Sequence, residues 1–233
     1  MGIDGRTAGQ HPNKLIVEFS QLGSIIPVLA QRIAENKPCL IHIKNAELEL
    51  TSGSRRWLKF VFGLCEERNR NIWTLHEFLS AARKLAEEEA KRLIKYARDV
   101  PGGFYGRLLS HVVIARRIGL VEAKEGTLIN LITSYSGKEL IKKAGKTKGT
   151  LRFKLDKLRR FLESPKITTL VTLELTPHEN FVELRLKGIR LFRALPPYIH
   201  RPLRSLKSKI IDPIANGIEQ NTKYKVRRKY RIS

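Results

Sequence analysis

Between Thr150 and Glu163, Leu151, Leu155, Leu158 and Leu162 recur at i, i+4, i+7 and i+11, which makes one apolar stripe if the segment is helical. A wheel of about 100° per residue then puts Thr150, Phe153, Lys157 and Arg160 on the far side, with Arg152 and Lys154 flanking them. Cations of this kind reach guanine edges or phosphates, and an aromatic among them meets thymine methyls in a major groove. The other reading of Phe153 is packing against the preceding part of the chain. Lys146 and Lys148, in the turn before the segment, lengthen the cationic edge. A second such surface is expected at the C-terminus, where Tyr224 and Tyr230 alternate with Lys225, Arg227, Arg228, Lys229 and Arg231, following Arg201, Arg204 and Lys207 upstream. An extended basic arm follows phosphates or enters a minor groove, and its tyrosines stack on unpaired bases.

Other chemistry lacks its residues. Neither a Gly-x-x-x-x-Gly-Lys-Ser/Thr loop nor a Gly-x-Gly-x-x-Gly loop occurs, so the usual phosphate cradles are missing. Cys39 and His42 stand three apart on an expected strand, which sends them to opposite faces, and no second Cys or His pair completes a zinc site. Asp occurs only at 4, 99, 156 and 212, each alone, which leaves no carboxylate pair for a two-metal nuclease. Tyr198, His200, Arg201 and Arg204 lie together, but without the His-x-x-Arg spacing of tyrosine recombinases. The expectation is a protein without enzymatic activity, metal or cofactor, with a recombinase or nuclease as the third alternative.

Charge supports that reading. The 233 residues hold 45 Lys and Arg against 22 Asp and Glu, a net charge of +23. Residues 137–163 carry 10 basic and 3 acidic side chains and residues 185–233 carry 14 and 2, whereas 1–136 carry 20 and 14. Clustering is what a phosphate backbone rewards, because each neutralised phosphate releases condensed counterions. Membrane binding is not expected: no apolar run approaches the roughly 20 residues of a span, and the basic tail lacks an insertable apolar face. Two cysteines make no disulfide scaffold, and residues 1–13 read as a Gly-rich flexible leader without a secretory signal, so a cytoplasmic protein, nucleoid-associated if prokaryotic, is expected.

The elements that must carry these residues follow from local pattern. Leu15–Phe19 and Cys39–Ile43 read as strands around a helix at Ser24–Asn36, and Ser54–Asn69 as a further helix. Thr74 with Glu77 forms a capping box that opens one long helix, apolar at Phe78, Ala82, Leu85, Leu93 and Ala97 and stopped by Pro101; a helix of that length doubles as a dimer arm, so a homodimer is among the expected states. A helix from Tyr105 to Ile118 ends at Gly119. Leu128, Ile129, Leu131 and Ile132 suggest a short apolar helix, though a strand also fits. Ser136 with Glu139 caps the next helix, Gly145 turns the chain, and Val171–Leu175 with Val182–Leu186 make a hairpin around Thr176–Asn180.

Ser136 to Leu158, SGKELIKKAGKTKGTLRFKLDKL, resembles the helix-turn-helix of the winged-helix superfamily through Leu140, Ala144, Gly145, Leu151 and Leu155. The resemblance implies an α+β fold in which residues 126–188 form the winged helix-turn-helix domain, after an N-terminal α/β and helical domain at 14–125 and before a basic C-terminal arm at 189–233. It further implies that Thr150–Glu163 is the recognition helix in the major groove. One departure is the hairpin, whose tip holds His178 and Glu179 where a phosphate-gripping wing presents Lys or Arg. Arg116-Arg117-Ile118-Gly119-Leu120-Val121 also resembles the close of a winged-helix recognition helix, which would make a second copy over 74–123. The partner expected is nucleic acid, DNA favoured over RNA, in a transcription regulator or a replication or partition factor; an RNA-binding or ribonucleoprotein component is the alternative.

Overall fold

The computed structural model describes residues 13–98, 102–196, 203 and 205–229. It is a mixed α+β protein, as expected, and the chain divides into two units assembled from separated segments. A sheet unit takes residues up to 48, 168–190 and 205 onward; a helical unit takes 49–167 and 191–204. This division replaces the expected domains at 14–125, 126–188 and 189–233.

In the sheet unit, β1 (Lys14–Glu18) and β2 (Cys39–Glu49) pair in parallel around α1 (Ile26–Ala34), which carries Pro27 in its first turn, where no helical N–H is lost. The hairpin β6 (Lys166–Pro177) and β7 (Phe181–Ile189) follows, and β8 (Lys225–Lys229) adds in parallel at the edge, in the order β1-β2-β6-β7-β8. Strand alternation sets the faces: Val182, Leu184 and Leu186 are fully buried, while Phe181, Arg185 and Lys187 point the other way. α9 (Asp212–Asn221) packs on α1 and against β8. The expected hairpin therefore exists, but as the middle of this sheet rather than as a wing. The expected basic arm is likewise a helix and an edge strand, because Ile214, Ala215 and Ile218 of α9 and Val226 of β8 supply the apolar side that anchors them.

The helical unit opens with α2 (Ser52–Glu67), capped by Thr51, whose hydroxyl accepts from the Ser54 N–H at 3.3 Å. Then come β3 (Ile72–Thr74), α3 (Leu75–Glu88), α4 (Lys91–Arg98), α5 (Gly103–Arg117) and β4 (Val121–Glu122). They are followed by α6 (Glu125–Ser134), α7 (Gly137–Lys146), β5 (Thr150–Phe153) and α8 (Leu155–Glu163). The Thr74–Glu77 capping box forms as the sequence predicts. The long helix after it does not: Glu89 and Ala90 interrupt it, and α4 is a separate amphipathic piece. α6 takes the helical option for the Leu128–Ile132 run. Gly119 ends α5 at φ 79°, as its position requires. Ser136 precedes α7, but its side chain makes no capping bond.

The largest correction concerns Thr150–Glu163. Its first four residues are the central strand of a three-stranded antiparallel sheet ordered β3-β5-β4, with Leu151 opposite Trp73 and Phe153 opposite Val121. Leu151 and Phe153 alternate inward and are both 1% exposed, a period of two that satisfies the strand partners on both sides. Only Leu155–Glu163 is helical, so the four-leucine stripe is not one helix face.

Candidate nucleic-acid interface

α7 turns Leu140 and Ala144 inward, packing on α3 and α5, and leaves Lys138, Lys142 and Lys146 on one outward row at i, i+4 and i+8. Gly145 permits the close approach to α3, since a Cβ there would stand 3.2 Å from the His76 ring. The turn is fixed by the Thr147 hydroxyl, which donates to the Lys143 carbonyl at 2.8 Å, and Lys143 lies 5.2 Å from the centroid of the Tyr135 ring. Lys148 follows, exposed, and β5 then presents Thr150 and Arg152 outward. Among the described residues, no carboxylate is ion-paired with Lys138, Lys142, Lys146, Lys148, Arg152, Lys157 or Arg160.

Three of the expected contacts are altered by their surroundings. Phe153 faces the core, its ring 5.3 Å from that of Phe78, and cannot meet a base. Lys154 donates to Glu122 at 2.9 Å. That bond, with Arg152 and Lys157 nearby, holds the Glu122 carboxyl below the ordinary range, so one negative charge sits inside the cationic cluster. On α8, Arg160 donates to the Asp156 carbonyl at 3.3 Å and remains exposed.

The other proposed reading helix is excluded by burial. Leu108, Leu109, Val112, Val113 and Ile114 of α5 are all completely enclosed, with α2, α4, α6 and α7 around the helix. Its closing arginines are also engaged: both pair with Glu125, at 2.6 Å from Arg116 and 2.8 Å from Arg117, and Arg117 donates to the Leu191 and Arg193 carbonyls. Sequence reading missed α4, whose Lys91, Arg92, Lys95 and Arg98 are exposed opposite buried Leu93 and Ala97. The run KRLIKYAR shows that spacing, but it disappears inside one long helical pattern unless the break at Glu89-Ala90 is seen.

In the sheet unit, β8 sorts the expected tail contacts by face. Lys225, Arg227 and Lys229 point outward, while Arg228 points to α9, where it bonds Asn216 at 2.9 Å and lies near Asp212 and Glu219. Arg228 is therefore a structural cation rather than a free contact. Lys207 lies 3.6 Å from Asp212, and Lys229 pairs with Glu183 at 2.6 Å. Arg227 stands 3.8 Å over the Phe181 ring. Arg201, Arg204 and Arg231 fall outside the described residues, as do Tyr198, His200 and Tyr230.

Both cysteines are buried, and burial pushes the Cys65 thiol up to about 11, so it stays protonated and unreactive at neutral pH. Among the described residues, no group of three His, Cys, Asp or Glu side chains is arranged to hold a metal, and no helix is long and apolar enough to cross a membrane. Compared with known proteins, the chain matches no family model, no curated protein and no solved structure.

Proposed function

We propose that this protein binds nucleic acid, gripping the backbone of a DNA duplex with the lysine-rich surface that runs from α7 through the following turn to β5 and α8. The observation that carries this reading is the set of exposed cations Lys138, Lys142, Lys146, Lys148, Arg152, Lys157 and Arg160, which have no ion-paired carboxylate among the described residues and are held outward because the opposite sides of the same elements are buried; Lys154 and Arg159 between them are paired with Glu122 and Glu66. Because packing has already ordered their backbone, these cations give up only side-chain freedom on meeting phosphate, and each contact releases counterions.

The winged-helix resemblance supports the reading in a form different from the one the sequence suggested. With α4 set aside as an additional helix between α3 and α5, the order α2, β3, α3, α5, β4, β5, in which the first strand pairs to the last and the last to the middle one, is that of the superfamily's helix–strand–helix–helix–strand–strand plan. In that alignment α5 holds the recognition position, and α6 and α7 occupy the connection where a wing would lie. Since α5 is enclosed, base reading through it is blocked, and α7 supplies the cations instead. The recognition therefore depends on backbone contact, with little preference for base sequence.

The test is the triple variant Lys142→Ala, Lys146→Ala, Lys148→Ala, titrated with duplexes of two unrelated sequences. The expected result is equal wild-type affinity for both duplexes and, in the variant, a log–log salt slope lowered by about one per lost contact. A folded variant with unchanged affinity and slope removes this surface from the mechanism. Duplex RNA in the same titration separates DNA from RNA binding.

A further inference from the structure

We propose that the outward face of the β7–β8 margin is a separate site for single-stranded nucleic acid, with the cluster His178, Phe181 and Arg227 as a stacking platform for unpaired bases. This goes beyond the duplex reading and rests on other residues in the other unit.

The geometry begins with strand register. Phe181 pairs with Lys225, Glu183 with Arg227 and Arg185 with Lys229, so all six side chains share one face, opposite the α9 side. The hairpin turn brings the His178 imidazole onto Phe181 at 4.4 Å and 20°, a parallel stack, fixed by the His178 N–H donating to the Phe181 carbonyl at 2.8 Å. The Arg227 guanidinium covers the same ring at 3.8 Å. The half-buried phenylalanine thus anchors two planar groups, and these two are exposed. Imidazole and guanidinium planes are both surfaces on which unpaired bases stack.

The charge around the platform suits a flexible polyanion. Glu183, the acidic group on these two strands' outer face, is already bonded by Lys229 and Arg185, which hold its carboxyl below the ordinary range. Lys225 and Arg227 have no ion-paired carboxylate among the described residues. Alternate residues of β8 place cations at a spacing of about 6.6 Å along the edge of the platform. A single strand can follow such a row while turning its bases onto the planar groups. A stacked duplex cannot offer them, because its bases are already covered.

The experiment uses the full chain and two conservative variants, Arg227→Lys and Phe181→Leu. The first keeps the charge and removes the planar group; the second keeps an apolar anchor and removes the ring. Binding of a short thymidine oligomer and of a DNA duplex is measured by fluorescence anisotropy at one salt concentration. Each variant is expected to lose about tenfold in single-strand affinity, with duplex affinity unchanged. Single-strand binding equal to wild type in Arg227→Lys, a surface change that does not threaten folding, overturns the platform. An equal loss for both substrates overturns it too, since that result assigns only backbone contact. The Lys142, Lys146, Lys148 variant is the converse control: it loses duplex binding if the duplex reading holds, and its outcome leaves the platform test intact.

Discussion

His111 shows how one buried side chain couples this fold to pH. It lies within α5, stacked on Trp57 at 5.5 Å and 16°, with Nδ1 donating to the Arg107 carbonyl at 2.7 Å. Burial brings its pKa down to about 4, although the carbonyl contact opposes that shift. The unfolded chain takes up a proton near pH 6.5 that the folded chain refuses, so stability is fully present above pH 6.5 and declines as pH falls toward 4. The loss attributable to this group is about 3 kcal/mol at the acid end. Urea denaturation between pH 7 and 4 should show it, and His111→Phe should flatten that part of the profile by about one proton. An unchanged slope in the variant would assign the acid loss to other groups. Carboxylates such as Glu125, held down by Arg117 and Arg116, act in the same direction but lower in pH.

At the scale of elements, the contact between α9 and α1 is the most exacting described in the sheet unit. A Cβ on Gly217 would stand 2.8 Å from both Cδ1 and Cγ2 of Ile26, and a β-branched Ile26 cannot swing both atoms away. Gly217→Ala gains up to about 1 kcal/mol in helix propensity and meets an overpacking cost of about 1–3 kcal/mol, so the net effect is a lower Tm. Adding Ile26→Ala should recover part of the loss, a non-additivity that thermal melting detects. Other elements show what local pattern conveys. The Thr74 cap, the Gly119 stop and the two strands of the hairpin were legible because each is decided by residues within a few positions, whereas the register that sets Leu175 opposite Leu184 was not. Phe153 was not, because leucines at 151, 155, 158 and 162 fit a helix in isolation. What made residues 150–153 a strand was pairing with β3, nearly 80 residues earlier, and with β4. The stacking of Arg227 on Phe181 was hidden for the same reason, since a parallel register is not written in either strand alone.

For the whole molecule, a charge of +23 attracts any polyanion at a distance, but contact strength depends on where the charges sit. Salt at physiological strength screens interactions beyond about 8 Å, which separates local from global effects. Two single changes raise the net charge equally. Glu122→Gln removes the carboxylate that engages Lys154 inside the α7–α8 cation cluster, and Glu35→Gln removes one that engages Lys37 in the other unit. If summed charge governed binding, both would tighten duplex binding alike. If the cations near residue 152 meet the phosphates, Glu122→Gln alone should raise affinity, by about threefold, and steepen the salt dependence as Lys154 becomes free to contact a phosphate. Anisotropy titrations across a salt series decide between these outcomes, and equal gains from the two variants would disperse the interface over the general surface field.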